Sequence, residues 1–483
     1  MNIVALLREE TAQKRNKVAL RQGKVHVTYG GLFDRTENTA NQLQKLGIDK
    51  FARVGLFVPE GIDYVVLNLA LLSLPAVVVP IPLGASEEEV NSLIQEMKIN
   101  FLIGPRSFCR SAAESYELTA LTASPLLGVS RFASVMPEQN EFESVNPAFI
   151  RFTSGTTGKS KGVVISHEAI RARTDAADHA LKMTEQDVVI WVLSMSFHFV
   201  VTILLFLRRA SEIVLCDHEL PRGIAEGLEA NDATFIYASP LHYDAMVNSQ
   251  RITTSLCRHL RMAVSTAVSL DESTAESFAA KFGLELTEAY GIIEVGLPFV
   301  NLTGDARRPR SVGRVLPAYQ CYLRAPDDDG VGIVNVKGPG MFDAYLSPWQ
   351  TREQVTKDGW FETDDLGRFD EQGFLYLLGR QQNVINFMGM KIFPAEVERV
   401  INQHPAVKES CVYGVTHKQF GQIPYARVVL TDESANFDPN ELRRFCYQYL
   451  AAYKVPKQVE QVIELEKTLS GKTVAKSRAQ LND

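Results

Sequence analysis

The chain lacks the cysteine spacing that builds a disulfide framework or a metal ladder. Its six cysteines are scattered at positions 109, 216, 257, 321, 411 and 446 of 483. Such thiols read as reduced and predict a cytoplasmic protein. A basic excess is missing too: 50 Lys/Arg against 57 Asp/Glu leave a net charge of −7 and no electrostatic footprint for nucleic acid. Arg8, Glu9 and Glu10 stand where a secretory leader would carry a basic start and an apolar run. Internal repeats and low-complexity tracts are absent. There is a single long apolar run, residues 188–207, with only Ser194, Ser196, His198 and Thr202 polar. Its length suits a membrane span. The central histidine and the mid-segment serines predict instead a buried strand over 188–193, a turn at 194–196 and a buried helix from about 197.

What is present is a long chain with 46% hydrophobic residues, enough for large cores and more than one domain. Strand-like Arg53–Val58, an amphipathic helical pattern from Ile62 to Leu72 and a buried strand-like run from Ala76 to Ile81 alternate as βαβ. That alternation predicts an α/β fold with mixed or parallel sheets and helices packed outside. The pattern continues to about Leu377. A turn-like stretch from Gly379 to Asn383 then sets off residues 381–483, which are relatively basic, with 13 Lys/Arg against 11 Asp/Glu.

The densest signal is Arg151-Phe152-Thr153-Ser154-Gly155-Thr156-Thr157-Gly158-Lys159-Ser160-Lys161-Gly162-Val163-Val164, whose polar part lies between apolar Ala148-Phe149-Ile150 and Val163-Val164-Ile165. Glycine lets backbone N–H groups approach an anion, and the hydroxyls add donors, so the stretch reads as a phosphate-wrapping loop between two strands. A Walker loop needs glycine at position 153 and a helix after the lysine. Position 153 is threonine, and the run after Gly162 is β-branched and strand-like.

The loop resembles the phosphate-loop signature of the adenylate-forming superfamily, which includes acyl-CoA synthetases, aryl-CoA ligases and peptide-synthetase adenylation domains. Ser160 stands where proline is usual. The other signatures come in order: Ala289-Tyr290-Gly291-Ile292-Ile293-Glu294; Gly359-Trp360-Phe361-Glu362-Thr363-Asp364-Asp365-Leu366-Gly367; Gly379-Arg380 with Gly389 and Pro394-Ala395-Glu396-Val397-Glu398; and Thr468-Leu469-Ser470-Gly471-Lys472. The resemblance covers nearly the whole chain. It implies a large multi-layer N-terminal domain over 1–380, a hinge near Gln382 and Asn383, and a small mobile α+β C-terminal lid over 381–483.

The implied activity is ATP-dependent conversion of a carboxylic acid to acyl-AMP, then transfer to the thiol of CoA or of a phosphopantetheinyl carrier protein. Attack on the α-phosphate turns a carboxylate oxygen into a leaving group, and the protein holds two anions in line while neutralising their charge. By resemblance, Thr153, Ser154, Gly155, Thr156, Thr157 and Gly158 wrap the β- and γ-phosphates, with Lys161 as a point charge. Tyr290 stacks on adenine beside Gly291, and Glu294 holds Mg²⁺. Asp365 accepts from the ribose hydroxyls, and Arg380 reaches ribose or phosphate. Lys472 bridges the carboxylate and α-phosphate oxygens. Three departures stand out. Ile293 replaces a threonine that contacts the α-phosphate or acyl group. Asp364 replaces a glycine and is expected to face solvent. Asn383 occupies the pivot position where aspartate or lysine is usual, and Asn386 stands where many ligases have lysine. Ile293, Ser160 and Asn383 together keep open a catalytically impaired nucleotide-binding homologue, and an acyl-AMP synthetase without its own thioester step is the other alternative.

Adenylation domains for amino acids place an aspartate near position 197 to grip the ammonium. Ser196-Phe197-His198-Phe199-Val200-Val201 offers none, and an unpaired ammonium against that apolar wall is costly. A fatty or aryl acid is expected, with His198 and Phe199 lining or gating its channel and Tyr237, Ser265, Thr266, Ala267 and Gly296 as walls. The chain stops soon after Lys472, so the acyl acceptor is expected to come from outside.

Overall fold

The structure is a computed structural model that describes residues 1–105, 127–134, 136–153, 161–302, 308–388, 390–417, 419–432 and 437–467. The chain packs as two compact units, Met1–Gln320 with Val336–Phe361, and Cys321–Asn335 with Glu362–Asp483.

The first unit holds a nine-stranded and an eight-stranded sheet. The centre of the nine-stranded sheet is parallel, formed by Glu212–Leu215, Val188–Trp191, Phe235–Ala238, Met262–Ser265 and Leu286–Ile292. A hairpin to Gly296–Val300 continues it. In the eight-stranded sheet, Phe101–Pro105, Arg53–Leu56, Val77–Pro80 and Pro147–Thr153 run parallel, and Lys161–Ser166 folds back antiparallel. Parallel strands carry helices on both faces, so they read as continuous apolar runs, as Val77-Val78-Val79 does here. The expected α/β class with mixed and parallel sheets is the one observed.

Two local expectations need correction. The helix Ile62–Ser73 is not amphipathic, for every residue from Ile62 to Leu72 is buried. A helix apolar all round must be covered on all sides, and here the helices Ile3–Glu10 and Tyr29–Lys45 pack on it. The apolar run after Val188 forms a strand only to Trp191, and helix begins at Met195, two residues early. It widens to π geometry over Phe199–Ile203 before ending as Leu204–Arg208. Among the described residues no helix is long and apolar enough to cross a membrane.

The second unit contains a four-stranded sheet of Gln320–Arg324, Gly332–Lys337, Phe361–Phe369 and Leu375–Arg380, whose outermost residues belong to the first unit. Val331, Ile333 and Leu366 pack there with Leu378, Val384 and Phe393, which explains why 321–335 belongs with the C-terminal residues. A five-stranded sheet built on the long hairpin Val407–His417 and Gly421–Leu430 is covered by the helices Pro394–Asn402 and Pro439–Cys446.

Candidate active site

The hydroxyl-rich stretch leaves the sheet at Thr153 and returns at Lys161, and these two residues are cross-strand partners. Ser154, Gly155, Thr156, Thr157, Gly158 and Ser160 lie outside the described residues, as does the side chain of Thr153. A strand, not a helix, begins at Lys161.

Lys161 is exposed, with its Nζ 5.2 Å from the centroid of the Tyr345 ring. The Tyr345 hydroxyl donates to Glu294 Oε1 at 3.2 Å. One buried ring therefore connects the ammonium of one motif to the carboxylate of another, far away in sequence. Tyr345 is set by its strand, where it pairs with Val163 beside the loop. Nothing in the sequence singled it out; its signal exists only in the register.

Glu294 sits in the turn between Leu286–Ile292 and Gly296–Val300. Its carbonyl accepts from Phe342 N at 2.7 Å. Beneath that turn lies Arg173, 1% exposed. It donates to Ile293 O at 3.1 Å and twice to Gly340 O, at 2.9 and 2.5 Å. The desolvated guanidinium thus ties the Glu294 turn to the segment that leads to Tyr345. Gly340 has φ +70, and a Cβ there would stand 2.4 Å from Arg173 N. At Gly291 a Cβ would meet the Gly296 carbonyl oxygen at 2.5 Å, so that glycine is required by its own hairpin. Gly296 is buried, backed by Arg173 and Tyr319. Tyr290 is half-buried and pairs across the hairpin with Phe299, ring centroids 6.1 Å apart.

On the acid side, the His198 ring lies edge-on to Trp191 and Tyr237, at 6.2 and 6.3 Å. Trp191 and Tyr237 stack at 6.0 Å. Burial pushes the Tyr237 phenol up to about 12, against a hydrogen bond with Thr266, so it stays a neutral donor. Thr266 donates to Ala289 O at 3.3 Å, next to Tyr290. Ala267 is exposed in the left-handed region at φ +76. Two expected wall residues lie elsewhere. Phe199 is fully buried between Tyr64 and Phe149, both at 6.1 Å, because the helical turn that presents His198 rotates its neighbour into the core. Ser265 comes directly after Val264, the register partner of Tyr237, and so points to the opposite face of the sheet. Trp191 was missed: it reads as one more apolar residue in a buried strand.

The turn carrying Ser196, Phe197 and His198 is held from two sides. Glu60 Oε1 accepts from Ser194 Oγ at 2.5 Å and from Ser196 N at 3.3 Å, and His218 Nε2 lies 3.5 Å from Oε2. Burial raises the Glu60 pKa, but hydrogen bonds from His218, Ser194 and the backbone outweigh it and the net shift is downward. The same hydrogen bond raises His218 above its usual value. From the other side Arg151 Nη1 donates to Phe197 O at 2.9 Å.

In the second unit Asp365 and Arg380 are cross-strand partners, with Arg380 Nε 3.2 Å from Asp365 Oδ1. The Asp365 backbone N–H donates to Thr363 Oγ1 at 3.1 Å. Asp364 is exposed, as expected, and its φ of +60 supplies the reason glycine suits that position. Asn383 closes the single exposed turn Gln381–Asn383 directly after Arg380, and Asn386 is exposed. Lys472 lies outside the described residues.

No group of three or more His, Cys, Asp or Glu that could hold a metal occurs among the described residues. Glu294 alone, with one oxygen already accepting a hydrogen bond, fits a cation completed by phosphate oxygens and water, the habit of Mg²⁺.

Residues 7–346 match the family model described as AMP-binding enzyme, and residues 396–472 match AMP-binding enzyme C-terminal domain. A 2-succinylbenzoate–CoA ligase of Bacillus cereus is 27% identical, with 96% of each chain covered. ATP-bound MatB from Rhodopseudomonas palustris is 26% identical with a TM-score of 0.83, covering 98% of this chain and 97% of its own. The AMP complex of o-succinylbenzoate coenzyme A synthetase from Bacillus subtilis, 22% identical, shares the fold at a TM-score of 0.84 over 99% and 98% of the two chains. With its signatures in order and the Lys161, Tyr345 and Glu294 side chains joined, the chain belongs to the AMP-binding, adenylate-forming enzymes.

Proposed function

We propose that this protein is an AMP-forming acid–thiol ligase that activates an aryl or fatty carboxylic acid with ATP and transfers it to CoA. The Lys161–Tyr345–Glu294 contact carries the reading, because it sets a cation and an anion at the end of the phosphate-loop hairpin. Lys161 neutralises phosphate oxygens there. Glu294 would hold Mg²⁺, which supplies charge neutralisation on the phosphates when bound. Tyr290 offers a half-buried ring for adenine. Asp365, already ordered by Arg380, is the group for the ribose hydroxyls.

The acid side combines the Trp191–Tyr237–His198 cluster with a neutral phenol, the segment 196–203 carries no acidic residue, and the Glu60 carboxylate beside it is engaged by Ser194, Ser196 and His218. That supports a non-amino-acid substrate, and the flat, stacked rings favour an aryl acid. CoA is preferred to a carrier protein as acceptor because the curated relatives are CoA ligases. We take residues 381–483 as the moving lid, Asn383 as its pivot and Lys472 as the residue it delivers. The described cysteines are free, in keeping with a cytoplasmic enzyme.

ATP–pyrophosphate exchange over a panel of aryl and fatty acids tests the first half-reaction, and addition of CoA or holo-carrier protein tests the second. Exchange with no acid of the panel refutes the ligase reading.

A further inference from the structure

We propose that Arg151 is a substrate-binding residue whose buried guanidinium holds a carboxylate of the acid to be activated. The proposal rests on the acid-activating function above and adds to it a residue that opens the phosphate-loop stretch but has no role in the reading of that stretch.

Arg151 lies on Pro147–Thr153, two residues before the strand ends, and is 4% exposed. Its neighbour Ile150 belongs to an apolar core with Val164. Strand alternation therefore turns Arg151 to the other face, the one where Phe149 meets Phe199. There it makes a single hydrogen bond among the described residues, to Phe197 O, and its Cζ lies 5.7 Å from the centroid of the Phe197 ring. No carboxylate among the described residues pairs with it.

The other buried arginines are better provided for. Arg208 bonds both oxygens of Glu10 and reaches Asp175 at 2.9 Å. Arg173 donates three hydrogen bonds to carbonyls and faces Glu294 and Asp343. Arg53 bonds Lys98 O and Gln139 Oε1. A desolvated charge is costly unless it is paired and hydrogen-bonded, and among the described residues one carbonyl and one ring face engage only part of the Arg151 guanidinium. The charged groups that act on Arg151 make matters worse, since besides the neutral Tyr64 phenol the other is the cation Arg173. A buried cation with so little compensation, next to a second cation whose own partners are already engaged, forms a site for an anion. Burial lowers Arg151 to about 10, which still leaves it protonated at neutral pH.

Geometry points to the acid. The group that Arg151 touches is the carbonyl of Phe197, adjacent to His198 and its aromatic cluster. The phosphate loop carries its own cations, Lys159 and Lys161. Ile293, held by Arg173, has no hydroxyl to contribute. A planar guanidinium also matches a carboxylate with two parallel hydrogen bonds.

The test measures binding by calorimetry for wild type, Arg151→Gln and Arg151→Lys, using benzoate, a benzene dicarboxylate, malonate and octanoate, with ATP as a separate ligand. Arg151→Gln can still bond Phe197 O but removes the charge. It is expected to keep the wild-type melting temperature and ATP affinity while losing roughly tenfold or more in affinity for the acids that wild type binds, with partial recovery in Arg151→Lys. Equal acid affinity in wild type and Arg151→Gln overturns the proposal. So does a loss confined to ATP, which would assign the charge to phosphate, and so does wild type that binds none of the acids. Wild type that binds an acid in an Arg151-dependent way but catalyses no pyrophosphate exchange refutes the ligase reading and leaves the anion site standing.

Discussion

Replacing Tyr345 with phenylalanine removes one oxygen and little else. The ring remains 8% exposed in its strand, so Lys161 keeps the aromatic face 5.2 Å from its Nζ. What disappears is the 3.2 Å hydrogen bond to Glu294 Oε1. A hydrogen bond to a charged group contributes about 1.5–3 kcal/mol. This one is long, and Glu294 is only half-buried, so water can replace the lost donor; the low end applies, about 1.4 kcal/mol or tenfold. Because the turn is pinned independently by Arg173, the backbone of Glu294 stays in place and only its carboxylate gains freedom. The expected result is about a tenfold drop in pyrophosphate-exchange kcat and a raised Mg²⁺ requirement, with the KM for the acid unchanged. Exchange rates measured against Mg²⁺ concentration read both effects. Wild-type rate and wild-type Mg²⁺ dependence in Tyr345→Phe would show that the contact does not position Glu294.

Three further outcomes are expected. Lys472→Ala leaves the melting curve unchanged and abolishes nearly all pyrophosphate formation; retained exchange refutes its role. Asp364→Gly removes a left-handed strain of about 1–2 kcal/mol, partly offset by glycine's entropy, and raises stability by about 0.5–1 kcal/mol in denaturant titration; unchanged or lower stability counts against that account. His167 is fully buried, with Nδ1 accepting from Ile3 N, and burial holds its pKa down to about 4. A folded pKa below the unfolded value of 6.5 means stability is present above pH 6.5 and is lost as pH falls towards 4, by about 3 kcal/mol. Urea titrations of wild type and His167→Gln at neutral pH and near pH 4 should differ in slope against pH, and parallel profiles would refute the assignment.

Much of this protein is determined by local chemistry that the sequence displays. Val77-Val78-Val79 can only be a strand covered on both faces. The Gly/Ser/Thr stretch between Phe149-Ile150 and Val163-Val164 can only leave and re-enter a sheet. Asp365 and Arg380 each stand in a motif whose residue types announce a polar ligand. Tertiary structure decided what spacing along the chain cannot encode. Ser265 and Phe199 sit at the right places in sequence, but strand alternation and helical rotation turn them away from the Trp191–Tyr237–His198 cluster. Tyr345 and Arg173 carry no local pattern at all, and Arg151 opens the phosphate-loop stretch without any sign in sequence that its side chain is buried. Each matters through a partner distant in sequence: Tyr345 through Glu294, Arg173 through Ile293 and Arg151 through Phe197. A buried charge is visible only once the chain has closed around it, because burial is a property of the packed neighbours and not of the arginine itself.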